Sequence, residues 1–164
     1  MPSETTSIGI NIGTRYVGIA VMVGTELRDW RIRVVQGIEL VDKFQWLTGM
    51  LARLFEIYPP TSVAIKGRSA SRTSPALEGL VLEAKEYLQD QGVTVREFTL
   101  GRVKAILFSG QRANKIQLAE YIVSKYPVLS QEWQREQSLR RPYRMMMFEA
   151  VALADVQLGQ RGSV

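Results

Sequence analysis

The 164-residue chain contains neither histidine nor cysteine. Thiol nucleophiles, zinc sites of the usual kind, histidine-based triads and imidazole acid–base steps are therefore excluded, and any chemistry must come from Asp, Glu, Lys, Arg, Ser, Thr or Tyr. The most uneven pattern is basic. Residues 1–60 hold six basic and six acidic side chains, residues 61–129 hold ten and six, and the remainder five and four. Within the middle section, Arg96, Arg102, Lys104, Arg112 and Lys115 face a single acid, Glu97. Lysines so placed suit phosphate oxygens, to which they offer a mobile point charge. On composition alone, with a net charge of +5, a solvated basic face is the plainer reading. Lys66 lies in the apolar run TSVAIKG, and Arg68 and Arg72 follow it in a loop. Among the acids, Glu149 and Asp155 fall in the last apolar segment, where Asp155 shares a helical stripe with Phe148 and Val151 and Glu149 lies about 100° around the helix from Phe148. Gly9, Gly13 and Gly18 could cradle a phosphate, although tight turns explain them better.

The elements that must position these groups follow from periodicity. Alternation in TSIGINIG, YVGIAVMVG and LRDWRIRVVQG predicts three strands in an antiparallel meander, with turns at Gly13–Arg15 and Gly24–Glu26. Val41, Phe44, Leu47, Leu51 and Leu54 form a helical stripe stopped by Pro59 and Pro60. TSVAIKG reads as a buried strand. Pro75 opens a helix that ends at Gly92, and VTVREFTL is a fifth strand. A short helix in RVKAILF and a longer one in ANKIQLAEYIVSK follow, the latter stopped by Pro127. Residues 128–141 fit either a surface loop or a short amphipathic helix, and Pro142 opens a last helix through Leu158. The expectation is a single α/β domain over residues 1–164, with a five-stranded mixed sheet (an antiparallel meander plus parallel strands) flanked by helices, an order that matches the ribonuclease H-like architecture. The polar start MPSETTS and the short apolar runs predict neither a signal peptide nor a membrane helix, hence a cytoplasmic protein.

With these motifs placed, the chain from about Ile8 to Leu158 resembles the RuvC family of Holliday-junction resolvases. IGINIGTRYVGIAV is similar to that family's I-D-P-G-[ST]-R-x-x-G-x-[AG]-V opening. VAIKG falls where the family has a strand ending A-I-E, GRVKAILFSGQRANKIQLAEYI resembles its V-K-x-x-x-x-G-x-G-x-A-x-K-x-Q-V segment, and FEAVALA lies where it has D-A-A-D-A-L-A or D-E-A-D-A-L-A. The resemblance implies four carboxylates converging from the first strand, the fourth strand and the last helix. They would hold two divalent cations about 3.5 to 4 Å apart for phosphodiester hydrolysis.

At those four places this chain has Asn11, Lys66, Phe148 and Val151. Like charges about 4 Å apart repel by roughly 4 kcal/mol at an effective dielectric near 20, so Lys66 opposes a cation there. The resemblance therefore implies a catalytically degenerate RuvC-like protein with no catalytic residues and no metal cofactor. It would bind branched or duplex DNA through Lys66, Arg68, Arg72, Lys104, Arg112 and Lys115. It also implies a homodimer through the helix from Pro75 to Gln91. At the loop where the family carries a junction-probing phenylalanine, Ser69-Ala70-Ser71 stand instead. Two alternatives remain. One is an active Mg- or Mn-dependent junction endonuclease with a relocated acidic site that uses Asp155, whose plainer role is a salt bridge to Lys66 or an arginine. The other is a non-enzymatic protein-interaction module on the same fold.

Overall fold

A computed structural model describes residues 4–68, 73–139 and 145–162. Three strands, β1 (Thr6–Ile12), β2 (Tyr16–Val23) and β3 (Glu26–Val34), form the meander, followed by α1 (Leu40–Ile57) and β4 (Ser62–Gly67). Then come α2 (Pro75–Asp90), β5 (Thr94–Thr99), α3 (Leu100–Leu107), α4 (Lys115–Lys125), a 3-10 turn at Pro127–Leu129, α5 (Ser130–Leu139) and α6 (Met145–Gly162). The sheet order is β3-β2-β1-β4-β5, with β1 antiparallel to β2 and parallel to β4, and β4 parallel to β5. The expected mixed five-stranded sheet is thus present. The stretch 128–141, open between loop and helix, is helical over its described part. The expected start of the last helix at Pro142 and the loop residues Ser69, Ala70, Ser71 and Arg72 lie outside the described residues.

Strand side chains alternate between two faces. Ile8, Ile10 and Ile12, with Val17, Ile19, Val63 and Ile65, pack under α1 and α2 against Leu47, Leu51, Leu80 and Leu88. The opposite face is built for close approach: Gly9 and Gly18, with Ala20 and Ala64, lie beneath α6. A Cβ on Gly9 would stand 2.1 Å from the Ala150 carbonyl oxygen and 2.9 Å from the Ala154 nitrogen, and one on Gly18 would stand 2.4 Å from the Met146 carbonyl oxygen. These two glycines are therefore explained by helix contact. Turn geometry accounts for Gly13, whose amide donates to the Tyr16 carbonyl at 2.9 Å.

Contacts at Met146, Ala150 and Ala154, spaced by four residues, fix which side of α6 faces the sheet. The opposite side carries Phe148 and Val151 into a core completed by α3, α4 and α5, where Phe148 meets Trp133 edge to face at 5.5 Å. Met147 is buried in the same core. Ser74 and Asn114 cap α2 and α4 by accepting from the Leu77 and Gln117 amides at 3.2 and 2.8 Å. No helix among the described residues is long and apolar enough to cross a membrane.

Candidate phosphate-binding site

Odd-numbered residues of β1 and even-numbered residues of β4 point toward α6, so Asn11 and Lys66 share that face at the carboxyl ends of two adjacent parallel strands. In open α/β sheets this is where ligands bind. Both side chains converge on Glu149. Asn11 Nδ2 donates to Glu149 Oε2 at 2.8 Å, and Lys66 Nζ reaches the same oxygen at 2.7 Å. Lys115, the first residue of α4, places its Nζ 3.7 Å from Glu149 Oε1. Arg68 closes the group, its Nη2 donating to Asn11 Oδ1 at 3.1 Å and to the Ile12 carbonyl at 2.9 Å.

The site holds one carboxylate and three cations. Asn11 and Glu149 are buried, at 0% and 3% exposure, whereas the Lys115 side chain is 59% exposed. Burial pushes the Lys66 amine below its ordinary value; Glu149 acts against that shift, and the nearby charges of Arg68 and Lys115 add to it. Burial also lowers Arg68, against the pull of Glu149. Arg68 Nε is buried with no hydrogen-bond partner among the described residues. An excess of positive charge that is partly desolvated and incompletely hydrogen-bonded favours an incoming anion.

The donor set does not fit the two divalent cations that the resemblance implies. Among the described residues no three carboxylates come together. The two side-chain oxygen ligands within the cluster are already engaged, Glu149 by Lys66, Asn11 and Lys115, and Asn11 Oδ1 by Arg68. Magnesium requires hard, charged oxygens in a strict octahedron, and here it would meet three cations instead.

The expected site residues therefore separate into groups. Asn11, Lys66, Arg68 and Lys115 gather around Glu149. Phe148 and Val151 lie in the core, because the stripe they share with Asp155 is turned away from the sheet by the glycine contacts. Asp155 forms a salt bridge, its plainer expected role, but with Lys125 in place of Lys66 or an arginine. It accepts from the Tyr126 hydroxyl and pairs with Lys125 at 2.8 Å, within the core formed by α4 and α6. Burial and Asp155 together raise the Tyr126 phenol above its usual value. Lys104 and Arg112 line a neighbouring open depression of about 540 Å³ between α3 and α4, with Gly110, Asn114 and Gln117. Lys115 joins the two regions, following the Asn114 cap in sequence and reaching Glu149 with its side chain. Arg72 lies outside the described residues. On another side, Lys66 and Arg68 line a cleft of about 310 Å³ with Thr73, Glu78, Lys85 and Glu97.

Sequence reasoning set Glu149 aside in favour of Asp155. The family's spacing pointed to Phe148 and Val151, and only the rotation of α6 on Gly9 and Gly18 brings the residue next to Phe148 to the strand ends. The available signal was Asn11, a polar side chain in an otherwise apolar strand that needs a buried partner.

The fold is that of RuvC-like proteins. Thermus thermophilus RuvC, solved in complex with a Holliday junction substrate, superposes with a TM-score of 0.73 at 15% identity over 96% of both chains. A second Thermus thermophilus RuvC structure gives 0.73 at 15% identity over 97% of both. The yeast mitochondrial Holliday junction resolvase Ydc2 gives 0.66 at 11% identity, covering 98% of this chain and 82% of that one. At these identities the likeness is one of fold. No protein-family model and no curated protein matches the chain.

Proposed function

We propose that this protein binds branched or duplex DNA through its phosphates and does not cut it. The observation that carries this reading is the cluster in which Lys66, Arg68 and Lys115 surround the single carboxylate of Glu149. A phosphate oxygen entering there meets a buried guanidinium N–H without a partner and two ammonium groups, so it takes the place that metal ions occupy in a nuclease of this fold. Lys104 and Arg112, in the adjoining depression, extend the contact along the strand to further phosphates. None of these groups is matched to a base edge, so the reading predicts recognition of backbone shape rather than sequence. The fold shared with a resolvase solved on junction DNA supports a branched substrate.

The test is incubation of the protein with a synthetic four-way junction and with its component duplexes, in EDTA and in manganese. The reading expects salt-sensitive binding in EDTA, uncut strands in manganese, and loss of binding in Lys66→Glu and Lys115→Glu. Manganese-dependent cleavage would establish a relocated catalytic site. Absence of DNA affinity at low salt would favour a protein-interaction module.

A further inference from the structure

The sheet has a second basic feature, on the face that β1 and β4 turn away from Glu149. Arg31 and Arg33 of β3 and Arg53 of α1 line a pocket of about 210 Å³ floored by Ile19, Met50 and Leu54 and bordered by Ile57. Asp29 holds Arg31 through both of its carboxylate oxygens. Arg33 and Arg53 have no carboxylate within salt-bridge reach among the described residues. Ile57 is 65% exposed although it adjoins this apolar floor.

The pocket lies along a nine-residue edge strand. The direction of the main chain there can be read from its neighbours. The Gly13 amide donates to the Tyr16 carbonyl, so Tyr16 turns its backbone toward β1. Its partner Val34 is then a non-hydrogen-bonded pair within β2–β3 and points its own N–H and carbonyl outward. The Gln36 side-chain amide donates to that Val34 carbonyl at 3.2 Å, as an outward direction requires. By the two-residue period, Ile32 and Trp30 also point their backbone groups outward. Among the described residues no strand pairs with this edge.

We propose that β3 receives an extended acidic segment of a protein partner, which adds a sixth strand to the sheet and places a carboxylate between Arg33 and Arg53. Main-chain bonds at Trp30, Ile32 and Val34 supply the pairing. Side chains of the added strand on the pocket face alternate with those on the other face. One carboxylate meets the guanidinium groups in forked geometry, and an apolar neighbour two residues away covers Ile57. Charge selects the partner: a basic strand is repelled, and a nucleic acid has no use for the apolar floor. Arginines on an edge also discourage pairing between identical copies, which keeps the edge open for an oppositely charged strand.

The probe is a capped peptide of alternating glutamate and valine as long as β3, compared with its lysine–valine counterpart. The readout is amide hydrogen exchange by NMR. The proposal expects the glutamate peptide to slow exchange at Trp30, Ile32 and Val34 and to leave Arg31 and Arg33 unchanged. It also expects binding to fall at least tenfold in the Arg33→Glu/Arg53→Glu double variant. Val34→Pro removes one outward donor without changing charge and is expected to weaken binding while the thermal midpoint stays near that of the parent. No protection by the glutamate peptide, equal protection by the lysine peptide, or protection of the same amides by duplex DNA in its place would each overturn the proposal.

Discussion

The Lys66 ammonium sits 2.7 Å from Glu149 Oε2, joining the carboxyl end of β4 to the first turns of α6 across 83 residues of sequence. The Lys66 side chain is 11% exposed and that of Glu149 3%, so the pair is largely shielded from solvent. A buried pair of this kind roughly balances attraction against desolvation, and removing one partner leaves the other uncompensated.

Glu149→Gln is therefore expected to lower unfolding free energy by about 3 kcal/mol, measured by denaturant titration. The same change should tighten junction binding by about tenfold at low salt, because it releases three cations for the phosphate. A merely structural carboxylate would lose stability without gaining affinity.

Binding should weaken as pH rises. Burial holds the folded Lys66 amine below its ordinary 10.5. Between the folded and unfolded values the unfolded chain carries more protons, so this residue contributes stability that increases with pH across that window. A bound phosphate favours the charged amine and reverses the preference, so affinity is lost as pH climbs through the lowered value. Lys66→Arg, whose charge does not titrate in this range, is expected to flatten the profile in fluorescence anisotropy.

Gly9→Ala and Gly18→Ala insert a methyl group against α6 main chain, within 2.1 to 2.9 Å of backbone atoms. Each should cost about 1 to 3 kcal/mol or more of stability, since neither the strand nor the helix backbone can give way locally. Because the same contacts set the rotation of α6, DNA binding should fall with them, and second-site changes at Glu149 should have less effect in these backgrounds than in the parent.

Asp155→Asn separates a core role from a catalytic one. Its carboxylate accepts from Tyr126 and pairs with Lys125, so loss of charge should reduce stability by about 1 to 3 kcal/mol and leave junction affinity unchanged. Nuclease activity that disappears in this variant would argue for the relocated site.

Much of the architecture could be read in the chain. Glycine-bounded alternation marks the three-strand meander, and Pro60, Pro75 and Pro127 separate elements as their missing N–H groups require. The segment at 128–141 resisted because its polar residues give a weak helical stripe, with the 3-10 turn at Pro127–Leu129 leading directly into α5. In the site, Asn11 and Lys66 could be placed together because strand position alone determines which face they share. Glu149 could not. A helix of apolar and small residues can rotate by one position with little change in its own pattern, and what fixes it is contact with glycines more than a hundred residues away. For the same reason Phe148 and Val151 matched the family's spacing while facing the core.

If a positive cluster stands in for a metal centre, as proposed, junction affinity measured in EDTA and again in magnesium across a range of salt will reveal it. Binding is expected to be tight in EDTA at low salt, with a log–log salt slope that falls by about one for each of Lys66→Gln and Lys115→Gln, and no strand scission is expected when magnesium is added. Binding that requires magnesium, or scission that begins with it, would mean that metal still acts at the site.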